Sequence, residues 1–265
     1  MADESGILVI PVRLAAEGHV YRDVTEDLPP TEIQRLQAVS SIDTTPWPPE
    51  HYCRVYREVG GVILHVIAFS QFTSTISLAR AGAAMAQQAD PGLSVEVLDS
   101  ASTAMAQGFI ALAAARAAGR GASLAEVTAE AERVRSRVSS VFALDSLRYL
   151  ARTGRVPRLT SWAGSLLRVT PVVALSQGKE HPIALTRSRG QAVARLLEQV
   201  RAATTAEEQL HVAVMASTID ERAMDLQHLV EERFRPVESL VVQLSPITQI
   251  VAGPGLLGLS FYTDA

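Results

Sequence analysis

The sequence predicts an α/β protein arranged as two lobes. Three observations carry that expectation. Short apolar runs of strand length, clearest at Val62–Phe69, Ser94–Leu98 and His211–Ala216, alternate with segments of helical spacing. The run Gly119-Arg-Gly121 interrupts the pattern near mid-chain and marks a boundary, dividing residues 1–120 from residues 121–265. The chain has 265 residues, of which 48% are hydrophobic and 20% charged, so it can bury a large core and is too apolar for disorder. The first lobe is expected to hold a mainly parallel sheet with helices on both faces, and the second to mix strands and helices.

Composition also excludes partners. A formal net charge of −4 argues against a nonspecific nucleic-acid binder, which needs a basic footprint. Cys53 is the single cysteine, so an internal disulfide is impossible. Met1–Ser5 is acidic and polar, without the pattern of a secretion signal, and a cytoplasmic location is expected. Ile110–Ala118 contains Arg116 and is too short for a membrane span. No metal-binding cysteine pair, H-E-x-x-H segment or G-x-x-x-x-G-K-[ST] phosphate loop is present, and no cofactor or metal is expected. The six histidines are scattered and read as solvated or as satisfied core residues.

In chain order, Ile7–Leu14 reads as a buried strand with Pro11 at an end or bulge, and Val20–Asp23 as a short partner. A helix is expected over Thr31–Val39 with Thr31 as N-cap. Asp43-Thr-Thr-Pro-Trp-Pro-Pro49 carries three prolines and must be a stiff loop, either a plain connector or a binding loop that uses Thr44 and Thr45. A helix follows over Glu50–Val59. After the strand Val62–Phe69 comes a hydroxyl-rich turn with Ser70, Thr73, Ser74 and Thr75, and then Ile76, Ala79, Ala83 and Ala86 at helical spacing. Strand, hydroxyl turn and helix suit an anion site, because free N–H groups and the helix dipole face the turn. Ordinary N-capping is the alternative, though capping requires a single hydroxyl.

The second half follows the same logic. Ala104–Ala118 reads as a helix, and Ser123–Glu126 as a capping box opening a helix to about Ser136. Leu144–Arg158 is the densest stretch of signals. Leu147 and Leu150 share one helical face, Gly154 stops the helix, and Arg152, Arg155 and Arg158 sit where a helix C-terminus favours cations. Those arginines are either a solvated basic end or a docking face. Gln177-Gly178 is a hairpin turn ahead of Ile183–Arg187. Arg187 and Arg189 precede a helix over Gly190–Ala202, followed by strand His211–Ala216, helix Asp220–Phe234, strand Val237–Leu244 and a last strand Leu259–Tyr262. Gly253-Pro-Gly-Leu-Leu-Gly258 matches G-x-G-x-x-G, but with seven residues after it no helix or ribose ligand is expected.

Tyr149-Leu-Ala-Arg-Thr-Gly-Arg-Val156 resembles the Y-L-x-x-G-G-R-I segment of the DegV family, with Thr153 in place of one glycine. Further segments are similar in the same order. Thr44 and Thr45 match the first hydroxyls of T-S-Q-P-S. Ser70, Phe72, Thr73 and Thr75 match S-S-x-L-S-G-T-Y, and Asp99-Ser100 with Gln107-Gly108 match the next strand and helix. Ser165–Val173 resembles S-L-L-x-x-K-P-I-L with Thr170 for lysine, and Gly253–Gly258 resembles H-x-G-P-G-A-L-G with Val251 for histidine. The family's opening strand, with its T-D-S-T motif, has no counterpart.

The resemblance implies a protein that binds a long-chain fatty acid in an apolar tunnel between two lobes. It implies that the carboxylate is presented to a partner fatty-acid kinase and that the protein itself is not an enzyme. Thr44, Thr45, Ser70, Thr73, Ser74 and Thr75 are the candidate ligand-binding residues, with Trp47 over the tunnel mouth. Arg152, Arg155, Arg187 and Arg189 are the candidate partner-binding residues. Two other classes stay open: an interaction module that binds no lipid, and a hydrolase using Ser100 or Ser70 as nucleophile.

Overall fold

Hydrophobic residues spaced two apart build the largest sheet. The computed structural model describes residues 5–23, 28–39, 41–151, 169–205 and 208–264. In chain order, β1 (Arg13–Ala16) and β2 (His19–Arg22) form an antiparallel hairpin, followed by α1 (Pro30–Ala38) and α2 (Pro49–Val59). Next come β3 (Val62–Ile67), α3 (Thr75–Ala89) and β4 (Ser94–Asp99), with β3 and β4 paired in parallel. The helices α4 (Ala104–Gly119) and α5 (Leu124–Arg137) pack against each other across the turn at 119–121. After these follow β5 (Ser139–Ala143), α6 (Arg148–Ala151), β6 (Thr170–Ser176) and β7 (Lys179–Thr186). The chain continues with α7 (Arg189–Ala203), β8 (Gln209–Ala216), α8 (Glu221–Phe234), β9 (Glu238–Gln243), α9 (Pro246–Ala252) and β10 (Leu257–Asp264).

The main sheet has six strands in the order β7-β6-β5-β10-β8-β9. Its pairs are antiparallel except β8 with β9, which α8 joins as a parallel crossover. Alternate residues of each strand point to opposite faces. Val141, Val172, Val212, Val214 and Leu259 face a core closed by Leu196, Val200, Leu226 and Val230 from α7 and α8. On the other face, Ala213 and Tyr262 meet Phe109, Ile110, Ala131 and Val134 of α4 and α5. The same two helices cover Leu64, Val66 and Leu98 of the β3–β4 pair, whose far side packs on α2 and α3. The architecture is thus mixed α/β, with a parallel pair in the first part of the chain and a mixed sheet in the second.

Local expectations fare unevenly. The capping box forms as read: Ser123 Oγ accepts from the Glu126 N–H at 3.4 Å, and Glu126 Oε2 accepts from the Ser123 N–H at 2.8 Å. Ile7–Leu14 does not form one strand, since pairing begins at Arg13. Within residues 7–12, Ile7 packs against the α4–α5 core and Ile10 against the α2–α3 core, while Leu8, Val9 and Val12 stay exposed. Thr31 is not a cap, because Pro29 holds that position and Pro30 opens α1. The strand Val62–Phe69 ends at Ile67, where Phe69 leaves it to donate its N–H to the Ser102 carbonyl at 2.8 Å. Arg189 is the first residue of α7 rather than a residue before it. The short helix α9, opened by the Ser245 cap, was not anticipated.

Candidate functional site

Two loops converge at one end of β3. The first is residues 41–48. Its Asp43 pairs with Ala15 of β1 through backbone bonds of 2.6 and 2.8 Å, and Arg13 adds an ion pair at 2.8 Å. Asp43 Oδ1 accepts both the Thr45 N–H at 2.8 Å and the Thr45 hydroxyl at 2.5 Å. Those bonds to Thr45, with the Arg13 guanidinium beside them, hold the Asp43 carboxyl down at about 2. The second loop, residues 68–74, runs from β3 into α3. Its turn closes with the Phe72 N–H donated to the Phe69 carbonyl at 2.9 Å.

Between the loops lies a cleft of about 350 Å³, lined by Ile42, Asp43, Thr44, Thr45 and Pro46 on one side and Phe72, Thr73 and Ser74 on the other. Of the sequence-predicted residues, Thr44, Thr45, Thr73 and Ser74 therefore meet across one space. Thr75 stands just behind, its hydroxyl 2.7 Å from that of Thr73 and near the buried Tyr52 phenol. Burial raises that phenol's pKa, so Tyr52 keeps its proton. Ser70 is not part of the lining; its N–H donates to Asp99 Oδ1 at 3.3 Å, toward the β4–α4 loop. Ser74 occupies the N-cap of α3 without a side-chain capping bond.

Behind the cleft is an apolar cluster on the inner face of the main sheet. It contains Phe142, Leu144, Leu147, Val173, Met215 and Leu256, with Phe72, Ala104, Met105 and Leu150 packed against it. Phe72 belongs to both the cleft lining and this cluster. Leu147 and Leu150 share the cluster, as their helical spacing predicts. The closing glycines hold the cluster's rim. A Cβ on Gly253 would fall 2.4 Å from the Tyr149 ring, and one on Gly255 would fall 1.8 Å from an Asp145 carboxylate oxygen. Ser217 Oγ donates to the Gly253 carbonyl at 3.1 Å. Val251 and Ile42 both pack against a neighbouring apolar cluster that includes Leu14, Leu36 and Ile250.

Other expected residues fall elsewhere. Trp47 does not cover the cleft. Its indole N–H donates to the Pro11 carbonyl at 2.7 Å, and its ring stacks on His51 at 4.5 Å, which turns it into the α2–α3 core. Arg187 and Arg189 are exposed at the start of α7, and α7 covers the sheet face opposite the cleft. Arg152 and Arg155 lie outside the described residues. Ser100 is 1% exposed, and its hydroxyl donates to the Ser102 carbonyl at 3.0 Å within its own turn, which is not the setting of a nucleophile. His65 is a satisfied core histidine, 2.7 Å from the Tyr56 hydroxyl. Among the described residues, no group of three or more His, Cys, Asp or Glu side chains is placed to hold a metal ion. Nor is any described helix long and apolar enough to cross a membrane.

Sequence reasoning identified the hydroxyl loops but missed Phe72 as the residue joining them to the apolar cluster. A large aromatic among hydroxyls was the available signal.

A mixed α/β fold with a parallel strand pair and a mixed sheet, carrying a hydroxyl-lined cleft beside a buried apolar cluster, is the class of protein the structure defines. The family model described as "Uncharacterised protein, DegV family" matches residues 1–264, and the chain belongs to the DegV family. It is 29% identical over 258 residues to a DegV domain-containing protein of Streptomyces coelicolor, covering 97% of this chain and 91% of the relative. Among solved structures, it is similar to a DegV family protein of Thermus thermophilus described as fatty-acid binding. That match has a TM-score of 0.87 and 28% identity, and covers 100% of this chain and 94% of the other. A stearic acid-binding protein of Eubacterium ventriosum shares the fold, with a TM-score of 0.88 at 18% identity over 99% of this chain and 93% of the other.

Proposed function

We propose that this protein binds a long-chain fatty acid, with its carboxylate in the cleft between the two loops and its acyl chain in the cluster behind. The single observation that carries this reading is Phe72, which borders the hydroxyls on one side and the apolar cluster on the other. A carboxylate removed from water needs several donors, and an acyl chain needs a dry apolar surface, so an amphiphile is the ligand that suits both. Thr73 is the main donor. The Thr73 and Thr75 hydroxyls lie 2.7 Å apart, and with Thr75 donating to Thr73 the Thr73 proton is left for the ligand. Residues 1–120 supply the loops and residues 121–265 most of the apolar wall, so the ligand lies between the two lobes. The fatty-acid binding described for the Thermus thermophilus relative supports the reading.

The protein carries and presents its ligand rather than converting it. A partner fatty-acid kinase in the cytoplasm phosphorylates the carboxylate held in the cleft, and Arg152, Arg155, Arg187 and Arg189 form the docking charges. The test is mass spectrometry of the purified protein, intact under native conditions and again after solvent extraction. A bound species that extracts as a fatty acid is expected; a protein of apo mass that also takes up no added palmitate would overturn the proposal.

A further inference from the structure

We infer that Phe72 sets the width of the passage between cleft and cluster and so selects acyl chains that carry no branch near the carboxylate. The inference rests on the fatty-acid reading above. Any chain with its head at Thr73 and its tail among Phe142, Leu147 and Val173 must pass the Phe72 ring, because Phe72 lies on both surfaces. The ring has little room to retreat. Phe69 stands edge-on to it, with centroids 4.9 Å apart and planes at 74°. Phe69 is itself fixed: it is 4% exposed, its N–H is bonded to Ser102, and the turn at Gly178 packs on it, a Cβ there falling 3.2 Å from its ring. The backbone of Phe72 is tied by its N–H to the Phe69 carbonyl. Phe72 and Thr73 line the same cleft, so the ring meets the carbons next to the carboxylate rather than the chain end.

The experiment compares palmitate, 3-methylhexadecanoate and 15-methylhexadecanoate by calorimetry on the full chain, in wild type, Phe72→Ala and Phe72→Leu. An unaccommodated methyl group in a fitted pocket costs about tenfold or more in binding. The wild type is expected to bind 3-methylhexadecanoate at least about tenfold more weakly than palmitate, and Phe72→Ala to reduce that ratio below about threefold, with Phe72→Leu between them. The ratio for 15-methylhexadecanoate should be the same in all three proteins. If Phe72→Ala leaves the 3-methyl ratio unchanged, or relieves both branched acids equally, Phe72 is not the selector although the fatty-acid reading stands. If the wild type binds none of the three acids, both fall. Phe72→Leu retains an apolar side chain in the cluster and serves as the readout if the alanine variant fails to fold.

Discussion

The ring of Tyr149 lies so close over Gly253 that a Cβ on the glycine would stand 2.4 Å from Cδ2. Gly253 also adopts φ +95°, a region that L-residues rarely enter. Tyr149 and Gly253, each from a segment that resembles the family, therefore pack directly on one another at the rim of the apolar cluster.

Gly253→Ala should accordingly lower stability by about 2–4 kcal/mol, combining backbone strain with overpacking. Gly190→Ala, in a helix with nothing within 4 Å of the added methyl, should be neutral or stabilising by a few tenths of a kcal/mol. Chemical denaturation of the two variants checks the contrast, and equal losses would remove the argument from close approach.

His65 gives a pH prediction. Burial lowers its pKa from 6.5 to about 4. Between those values the unfolded chain binds a proton that the folded protein refuses, so stability present above pH 6.5 is lost as the pH falls towards 4. The loss should be of order 3 kcal/mol. In His65→Phe the proton uptake on unfolding near pH 5 should fall by about one relative to wild type. Stability curves of the same slope in both proteins would contradict a neutral His65.

Arg187 and Arg189 stand beyond the sheet from the cleft, on the side covered by α7. Replacing both with glutamate should leave palmitate affinity unchanged while reducing phosphorylation of the bound acid by a fatty-acid kinase at least about tenfold, as expected when steering and docking charges reverse. Loss of lipid binding in the double variant would assign these arginines a structural role.

Legibility in the sequence followed the range of the interactions involved. The strand β8 was readable as a continuous apolar run because both its faces are buried: Val212 and Val214 face one core, while Ala213 and Met215 on the other face enter two more. The Ser123–Glu126 cap was readable for the same reason, spanning one helical turn. Ile7–Leu14 misled because an apolar run fixes neither pairing nor burial: Ile7 and Ile10 pack against different cores, and Leu8, Val9 and Val12 between and beside them are exposed. The hydroxyl types of the site were legible, but their meeting was not. Thr44 and Thr73 come together because Asp43 is pinned to Ala15, a contact no local pattern records. Ser70 and Thr73 look equivalent in sequence, yet only Thr73 lines the cleft, since a turn decides which side chain faces it.

The central claim is that Thr73 grips a fatty-acid carboxylate. A hydrogen bond to a charged group contributes about 1.5–3 kcal/mol, or about one to two decades of affinity. Val251 packs against the same apolar cluster as the cleft-lining Ile42, and its side chain offers no donor. Titration calorimetry of palmitate into the wild type and Thr73→Val is the most direct test. The account predicts a Kd about ten- to a hundredfold weaker in the variant at unchanged stoichiometry; the same Kd in both proteins would place the carboxylate elsewhere and contradict it.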